Sequence, residues 1–312
     1  MERGETAMQT IGRFAPSPSG RMHLGNVLCA LLAFLSARRQ NGQFLLRIED
    51  LDAMRCPRSF ADLIMDDLRW LGLDWDGEVP YQSERSDIYA QYEAVLREKG
   101  LLYPCFCSRA ALHAASAPHL SDGRVLYVGT CRNLTAEQVA EKRKMRAPAT
   151  RVRVPDEVVR FTDAVWGDYE ENLAEECGDF IIRRSDGVFA YQLAVVVDDA
   201  LTGVNEVVRG ADLISSTPRQ IWLYRLFGFE PPHFAHIPLL CDHDGRRLSK
   251  RDEDLDLGLL RERFTPAQVT GALAYAAGLI DRPEPVAARE LVSAFDWGKI
   301  PRHDLFLPDI FR

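Results

Sequence analysis

Apolar residues change their spacing several times along the chain, and the changes mark its elements. Residues 10–14 predict a short strand that runs into the turn-forming stretch Ala-Pro-Ser-Pro-Ser-Gly at 15–20, and over 26–39 apolar positions then recur at helical spacing. Residues 43–48 read as a buried strand ending in Glu49 and Asp50. An amphipathic helix follows over 58–71, with Leu63, Ile64, Leu68 and Leu71 inward. Strands alternating with helices in this way predict a parallel α/β sheet.

From about 105 to 189 the alternation breaks. An Ala-rich stretch, a group of cysteines, a charged helix over 136–145 and short strand-like runs such as 151–154 replace it, which reads as an insertion. The α/β signal returns with the apolar runs 189–197 and 204–208, a helix over 217–226 and the run 236–240. Beyond Lys250 the pattern is mostly helical, with short apolar segments over 267–279 and 288–297. The expected organisation is a first half of the α/β domain at 1–104, an insertion at 105–188, the second half at 189–255 and a short helical region at 256–312.

The 312 residues, 46% apolar and 27% charged, can bury one large core or two. Lysines and arginines number 38 against 46 acidic residues, a net charge of −8, so no global positive field draws in a polyanion. Any RNA contact has to use a local patch. The apolar run 27–35 is too short for a bilayer, and neither a transmembrane segment nor a signal peptide is expected. Cys29, Cys56, Cys177 and Cys241 are scattered, whereas Cys105, Cys107 and Cys131 lie close together. That suits a metal site in a reducing compartment better than a disulfide framework, and the cytoplasm is the expected location.

In an open α/β sheet ligands sit beyond the carboxyl ends of strands, where the loop 15–26 and the pair Glu49 and Asp50 both fall. Gly20 and Gly25 are not followed by the Lys and Ser/Thr of a Walker loop, nor do they make the dinucleotide G-x-G-x-x-G. His23 and Asn26 open a helix, where unpaired N–H groups and the dipole favour a phosphate. Alone, Asn26 reads as a plain helix cap and His23 as a surface residue. The segment CDHDGRRLSKR, 241–251, puts Arg247, Lys250 and Arg251 on a loop after a strand. A basic loop there suits pyrophosphate departure, since a cation meeting the developing charge favours the transition state; its bland alternative is a solvated turn. Cys105-x-Cys107 and Tyr127-x-x-x-Cys131 offer three thiolates and a phenol, and a closed tetrahedral zinc site wants four N/S/O ligands, although tyrosine is an unusual fourth. His113 or His119 as fourth ligand, or no metal at all, are the alternatives.

Taken together, PSPSGRMHLGN and RLSKR resemble the HIGH and KMSKS signatures of class I aminoacyl-tRNA synthetases, and RFAPSPSG followed by HLGN resembles the glutamyl/glutaminyl branch. The resemblance covers 10–105 and 178–255 closely and the insertion loosely. It implies a Rossmann-type parallel sheet with a zinc-containing insertion and a short C-terminal helical region. It also implies ATP contacts from Pro16, His23, Gly25, Asn26, Arg247, Leu248, Ser249, Lys250 and Arg251, with Mg²⁺ as cofactor and His23, Asn26 and Lys250 as the catalytic groups. L-Glutamate would meet Arg13, Ser17, Glu49 in RIED, Tyr191 in FAYQLAVVVDD and Arg209 in VVRGADL. The chemistry agrees: each arginine can fork onto one of the two carboxylates and Glu49 can meet the ammonium. Which arginine takes which carboxylate is open. Singly, the arginines read as surface ion pairs, Glu49 as a helix cap and Tyr191 as core.

The residues after RLSKR are too few for a helical stem-contact region and an anticodon reader, so no anticodon-binding domain is expected. This matches truncated glutamyl-synthetase paralogues, which activate glutamate without tRNA and esterify it to queuosine in the anticodon loop of tRNA(Asp). The same resemblance favours Tyr127 as the fourth zinc ligand. Expected partners are L-glutamate, ATP and a queuosine-bearing tRNA(Asp), with no membrane and a monomeric state. The competing readings are a glutamyl-tRNA synthetase charging a tRNA 3′ end and a non-catalytic binding module; the intact motif set argues against the second.

Overall fold

The structure, a computed structural model, describes residues 9–108, 126–242, 245–246 and 256–311. The expected zinc alternatives His113 and His119 and the whole RLSKR motif lie outside the described residues. The strands are β1 (Ile11–Phe14), β2 (Gln43–Leu46), β3 (Leu102–Cys105), β4 (Ala149–Val152), β5 (Val158–Asp163), β6 (Gly167–Asn172), β7 (Phe180–Arg183), β8 (Glu206–Gly210), β9 (His233–Ile237), β10 (Leu240–Cys241) and β11 (Leu305–Phe306). The helices are α1 (Leu24–Arg39), α2 (Arg58–Leu71), α3 (Ser86–Glu98), α4 (Ala136–Met145), α5 (Tyr191–Leu201), α6 (Thr217–Phe227), α7 (Leu257–Arg263), α8 (Pro266–Ala276) and α9 (Ala288–Leu291).

The main sheet has the order β2-β1-β8-β9-β5-β6, parallel except for the β5–β6 hairpin. From β1 the chain crosses through α1 to β2 on one side, and much later it lays β8 along the other side of β1. The order reverses between β1 and β8, and in such sheets a crevice opens there at the carboxyl ends.

Both faces of the sheet are covered, and the strands show it at single-residue resolution. Val208 and Ala235 belong to one core, with α1 and the C-terminal helices, while their neighbours Val207 and Phe234 belong to the other, with α3, α5 and α6. Helix α1 is apolar almost all round because it is clamped between the sheet and the C-terminal segment. The apolar run 189–197 likewise falls mostly in a buried helix, α5.

Two features differ from the sequence expectation. The segment 105–188 is not wholly an insertion: β5 joins the main sheet with Asp163 beside Phe234, and only β3, β4 and β7 form a separate antiparallel sheet. The hairpin's outer face is polar, so its strands carry little of the apolar signal that marks the rest of the sheet. On α2, Leu63 is only half-buried while Asp67 is fully buried. Arg21 and Arg261 each reach Asp67 Oδ1 at 2.9 Å and compensate its charge.

Candidate active site

Every expected glutamate or ATP residue within the described chain lines one cavity of about 640 Å³ at the carboxyl ends of β1, β8 and β9: Arg13, Pro16, Ser17, His23, Gly25, Asn26, Glu49, Tyr191 and Arg209. Arg247, Leu248, Ser249, Lys250 and Arg251 lie outside the described residues. The chain on either side of them meets the same rim. Leu239 and Leu240 line the cavity, and Leu257 N donates to Met22 O at 3.0 Å beside a bridge between Asp256 and His23.

The floor of the cavity is a buried charge network. Arg13 Nε donates to Asp199 Oδ1 and Oδ2 at 3.2 and 3.3 Å, and Arg13 Nη1 to Val208 O at 3.1 Å. Arg47 reaches Asp199 Oδ1 at 2.5 Å and Glu49 Oε1 at 3.1 Å. Asp198, next in line, accepts from Gln82, Arg85 and Tyr89. Burial alone would raise the Asp199 carboxyl, but Arg13 and Arg47 hold it below its ordinary value. Burial opposes the charge on Arg13 as well, but Asp199, with smaller help from Tyr191 and Glu49, raises its pKa overall, so the guanidinium stays charged. Burial raises Glu49 despite Arg47 and Arg13. Among the described residues neither Arg13 Nη2 nor Glu49 Oε2 has a protein partner, so each keeps bonding capacity at the cavity wall.

Arg209 is held differently. It is 4% exposed and forms no ion pair among the described residues. Its partners are all neutral: Nε donates to His236 Nε2 (3.0 Å), Nη1 to Gln220 Oε1 (2.7 Å) and Tyr191 Oη (3.2 Å), and Nη2 to Thr217 Oγ1 (2.8 Å). His236 can accept because burial lowers its pKa to about 4, with Arg209 adding to the effect and Asp163 only partly opposing it. The neutral ring gives its Nδ1 proton to Asp163 Oδ2 at 2.6 Å. A buried cation without a counter-ion is costly, and in an enzyme cavity it is a place built for an anion. Burial also raises the pKa of Tyr191, which keeps its hydroxyl protonated.

His23 and Asn26 form the capping box of α1. His23 Nδ1 accepts from Gly25 N at 3.1 Å and Asn26 Oδ1 from His23 N at 3.3 Å. The ring proton therefore sits on Nε2, a donor at the dipole-positive end of a buried helix. A Cβ at Gly25 would meet the His23 ring at 3.0 Å, so a larger residue there would have to push the imidazole aside.

The cysteine group forms as expected. The Sγ atoms of Cys105, Cys107 and Cys131 all lie within 4.8 Å of one another, Cys107 and Cys131 at 3.8 Å. Tetrahedral zinc with its ordinary bond lengths wants ligand sulfurs about 3.8 Å apart, so the donor set fits the ion. Tyr127 Oη lies 3.6 Å from Cys105 Sγ and accepts from Cys131 N at 2.7 Å. Arg151 donates to Cys105 Sγ at 3.2 Å and stacks over the Tyr127 ring. Burial would raise the Cys105 thiol, but the Cys107 N–H and Arg151 hold it below its ordinary value, whereas burial and Cys105 push Cys107 up to about 12.

Sequence reasoning missed Arg47, Asp163, Asp199, Thr217, Gln220 and His236. Two were legible: Asp199 is eight positions after Tyr191 and so shares its helix face, and Arg47 precedes Glu49 by two in an extended segment. Asp163 and His236 carry no local signal of their meeting.

Residues 9–275 match the catalytic domain of class I tRNA synthetases (E and Q). Proteins named glutamyl-Q tRNA(Asp) synthetase from Symbiobacterium thermophilum and Nitratidesulfovibrio vulgaris are 50% and 48% identical over 309 residues, 95% of each chain. One of the same name from Neisseria meningitidis is 43% identical over 95% of this chain and 99% of its own. The crystal structure of a glutamate tRNA ligase from Elizabethkingia meningosepticum in complex with its amino acid superposes with a TM-score of 0.82 at 27% identity, over 97% of this chain and 68% of the other. The chain therefore belongs to the glutamate- and glutamine-type class I tRNA synthetases, and within them to the glutamyl-Q tRNA(Asp) synthetase family.

Proposed function

We propose that the protein activates L-glutamate with ATP, without tRNA, and transfers the glutamyl group to queuosine at the anticodon wobble position of tRNA(Asp). The observation that carries the reading is Arg209, a buried guanidinium with only neutral partners, sharing one cavity with Arg13, Tyr191 and Glu49. A ligand with two carboxylates and one ammonium complements this set: a carboxylate for each arginine and the ammonium for the open oxygen of Glu49.

In the first step a glutamate carboxylate oxygen attacks the α-phosphorus of ATP and pyrophosphate leaves. No side chain needs to act as nucleophile. His23 Nε2–H, the start of α1 and Lys250 stabilise charge on the phosphates, Pro16, Gly25 and Asn26 shape their seat, and Arg247, Leu248, Ser249 and Arg251 complete it. Mg²⁺ bound to the nucleotide would neutralise part of the phosphate charge. In the second step a cyclopentene-diol hydroxyl of queuosine attacks the mixed anhydride, forming the ester and releasing AMP. Cys105, Cys107, Tyr127 and Cys131 would hold one structural zinc that contributes folding energy to a part of the chain with a small core of its own.

The test supplies radiolabelled glutamate and ATP with tRNA(Asp) containing or lacking queuosine and with tRNA(Glu). The label should enter only queuosine-containing tRNA(Asp), and periodate pretreatment, which cleaves the diol, should abolish it. Charging of the tRNA(Glu) 3′ end would overturn the assignment.

A further inference from the structure

We propose that the basic end of α4, Lys142, Arg143, Lys144 and Arg146, is a phosphate-binding surface for the RNA acceptor. The proposal rests on the reading of the chain as a tRNA-glutamylating enzyme. Helix α4 contains no buried residue, and its Val139 and the preceding Leu134 rest against the cysteine cluster. Its other half leaves the protein: every residue from 142 to 146 except Met145 is basic, Arg143, Lys144 and Arg146 are exposed, and Lys142 is partly so. A helix C-terminus favours cations in its last turn, which accounts for one or two of them but not for four in five positions. Lys144 pairs with Glu141 at 2.5 Å, whereas Lys142, Arg143 and Arg146 form no ion pair among the described residues.

The placement of this cluster ties it to the site. Residue 149 opens β4, so Arg146 lies within about 11 Å of it along the chain. The β4 register puts Ala149 beside Cys105 and Thr150 beside Arg183, and Arg183 bridges to Phe189. Arg184 and Phe189 line a second cavity of about 400 Å³, which shares Ser17, Glu49 and Tyr191 with the glutamate cavity. One end of the three-stranded sheet thus lies beside both the second cavity, which adjoins the first at Ser17, Glu49 and Tyr191, and the basic helix. A nucleoside entering by the second cavity would leave its flanking phosphates over the same end. A chain with a net charge of −8 repels RNA in general, so productive binding depends on such a local cluster.

The experiment compares wild type with K142Q/R143Q/K144Q/R146Q and with the charge-conserving K142R/K144R. Glutamate-dependent pyrophosphate exchange, which needs no RNA, should be the same in all three. Transfer to queuosine-bearing tRNA(Asp) should fall by about tenfold or more in the fourfold variant, and the slope of log affinity against log salt should become shallower by about two to four. K142R/K144R should behave as wild type. Single changes R143Q and R146Q, both at exposed positions, should each flatten the slope by about one. Unchanged slopes in the single and fourfold variants would overturn the surface. A wild type that transfers no glutamate to this tRNA would instead overturn the functional reading beneath it.

Discussion

His236 Nδ1 lies 2.6 Å from Asp163 Oδ2, with both side chains fully buried and 73 positions apart in the chain. The contact determines which face of the imidazole carries the proton, and thereby makes His236 Nε2 an acceptor for Arg209. In Asp163→Asn the amide can present N–H to Nδ1, which moves the ring proton to Nε2, where it faces the Arg209 N–H. Two donors then oppose one another in a buried site, a cost of about 1–3 kcal/mol. The expected outcome is a KM for glutamate raised by about ten- to hundredfold with a smaller change in kcat. Steady-state pyrophosphate exchange reads it, and an unchanged KM would remove the relay from the account.

The same histidine makes stability depend on pH. Its folded pKa of about 4 lies below the ordinary value of 6.5, so between these limits the unfolded chain binds the proton and the folded chain does not. This contribution is fully present above the unfolded value and is lost as pH falls from 6.5 toward 4, by up to about 3 kcal/mol. Urea unfolding across this range should show the fall in wild type and a flatter profile in His236→Gln. Parallel profiles would contradict it.

Glu49→Gln tests the ammonium site. Wild type should discriminate strongly between glutamate and glutarate, which lacks the amino group. The variant should lose about 2–3 kcal/mol of glutamate affinity, and glutarate should compete almost equally well. Retention of full discrimination would place the ammonium elsewhere.

Lys250→Ala should slow pyrophosphate exchange by about a hundredfold while glutamate binding changes little, because the cation is needed chiefly as charge develops on the leaving pyrophosphate. Equal losses in rate and binding would argue for a ground-state role.

Elemental analysis should find one zinc per chain, and Cys105→Ser should lower both the metal content and the melting temperature. Tyr127→Phe should retain the three sulfurs and weaken zinc by about tenfold in a chelator competition, a smaller loss than the serine variant. If the Tyr127→Phe variant binds zinc as tightly as wild type, the fourth ligand is another group.

What was readable in advance follows from distance along the chain. The helix over 58–71 and the charged helix over 136–145 match α2 and α4 because helical periodicity is local. The residues lining the cavity that the sequence singled out stand in short motifs, and the motifs sit at strand ends, so their meeting follows once the sheet is parallel. The hairpin of β5 and β6 was not readable as part of the main sheet. It meets the parallel strands in register at a single pair, Asp163 with Phe234, and its outward side chains are mostly polar.

By itself the sequence determined the chemistry on offer: two arginines and a glutamate for an amino diacid, a histidine and asparagine at a helix start for phosphate, three thiols and a phenol for zinc. Only the tertiary structure decided how those charges are held. Asp199 pairs with both Arg13 and Arg47, with Glu49 and Asp198 also beside Arg47, while Arg209 is left with a neutral histidine and no counter-ion among the described residues. Residue identity states which charge exists, but its cost and its partners depend on desolvation and on contacts between segments far apart in the chain, and those arise only when the sheet closes around them.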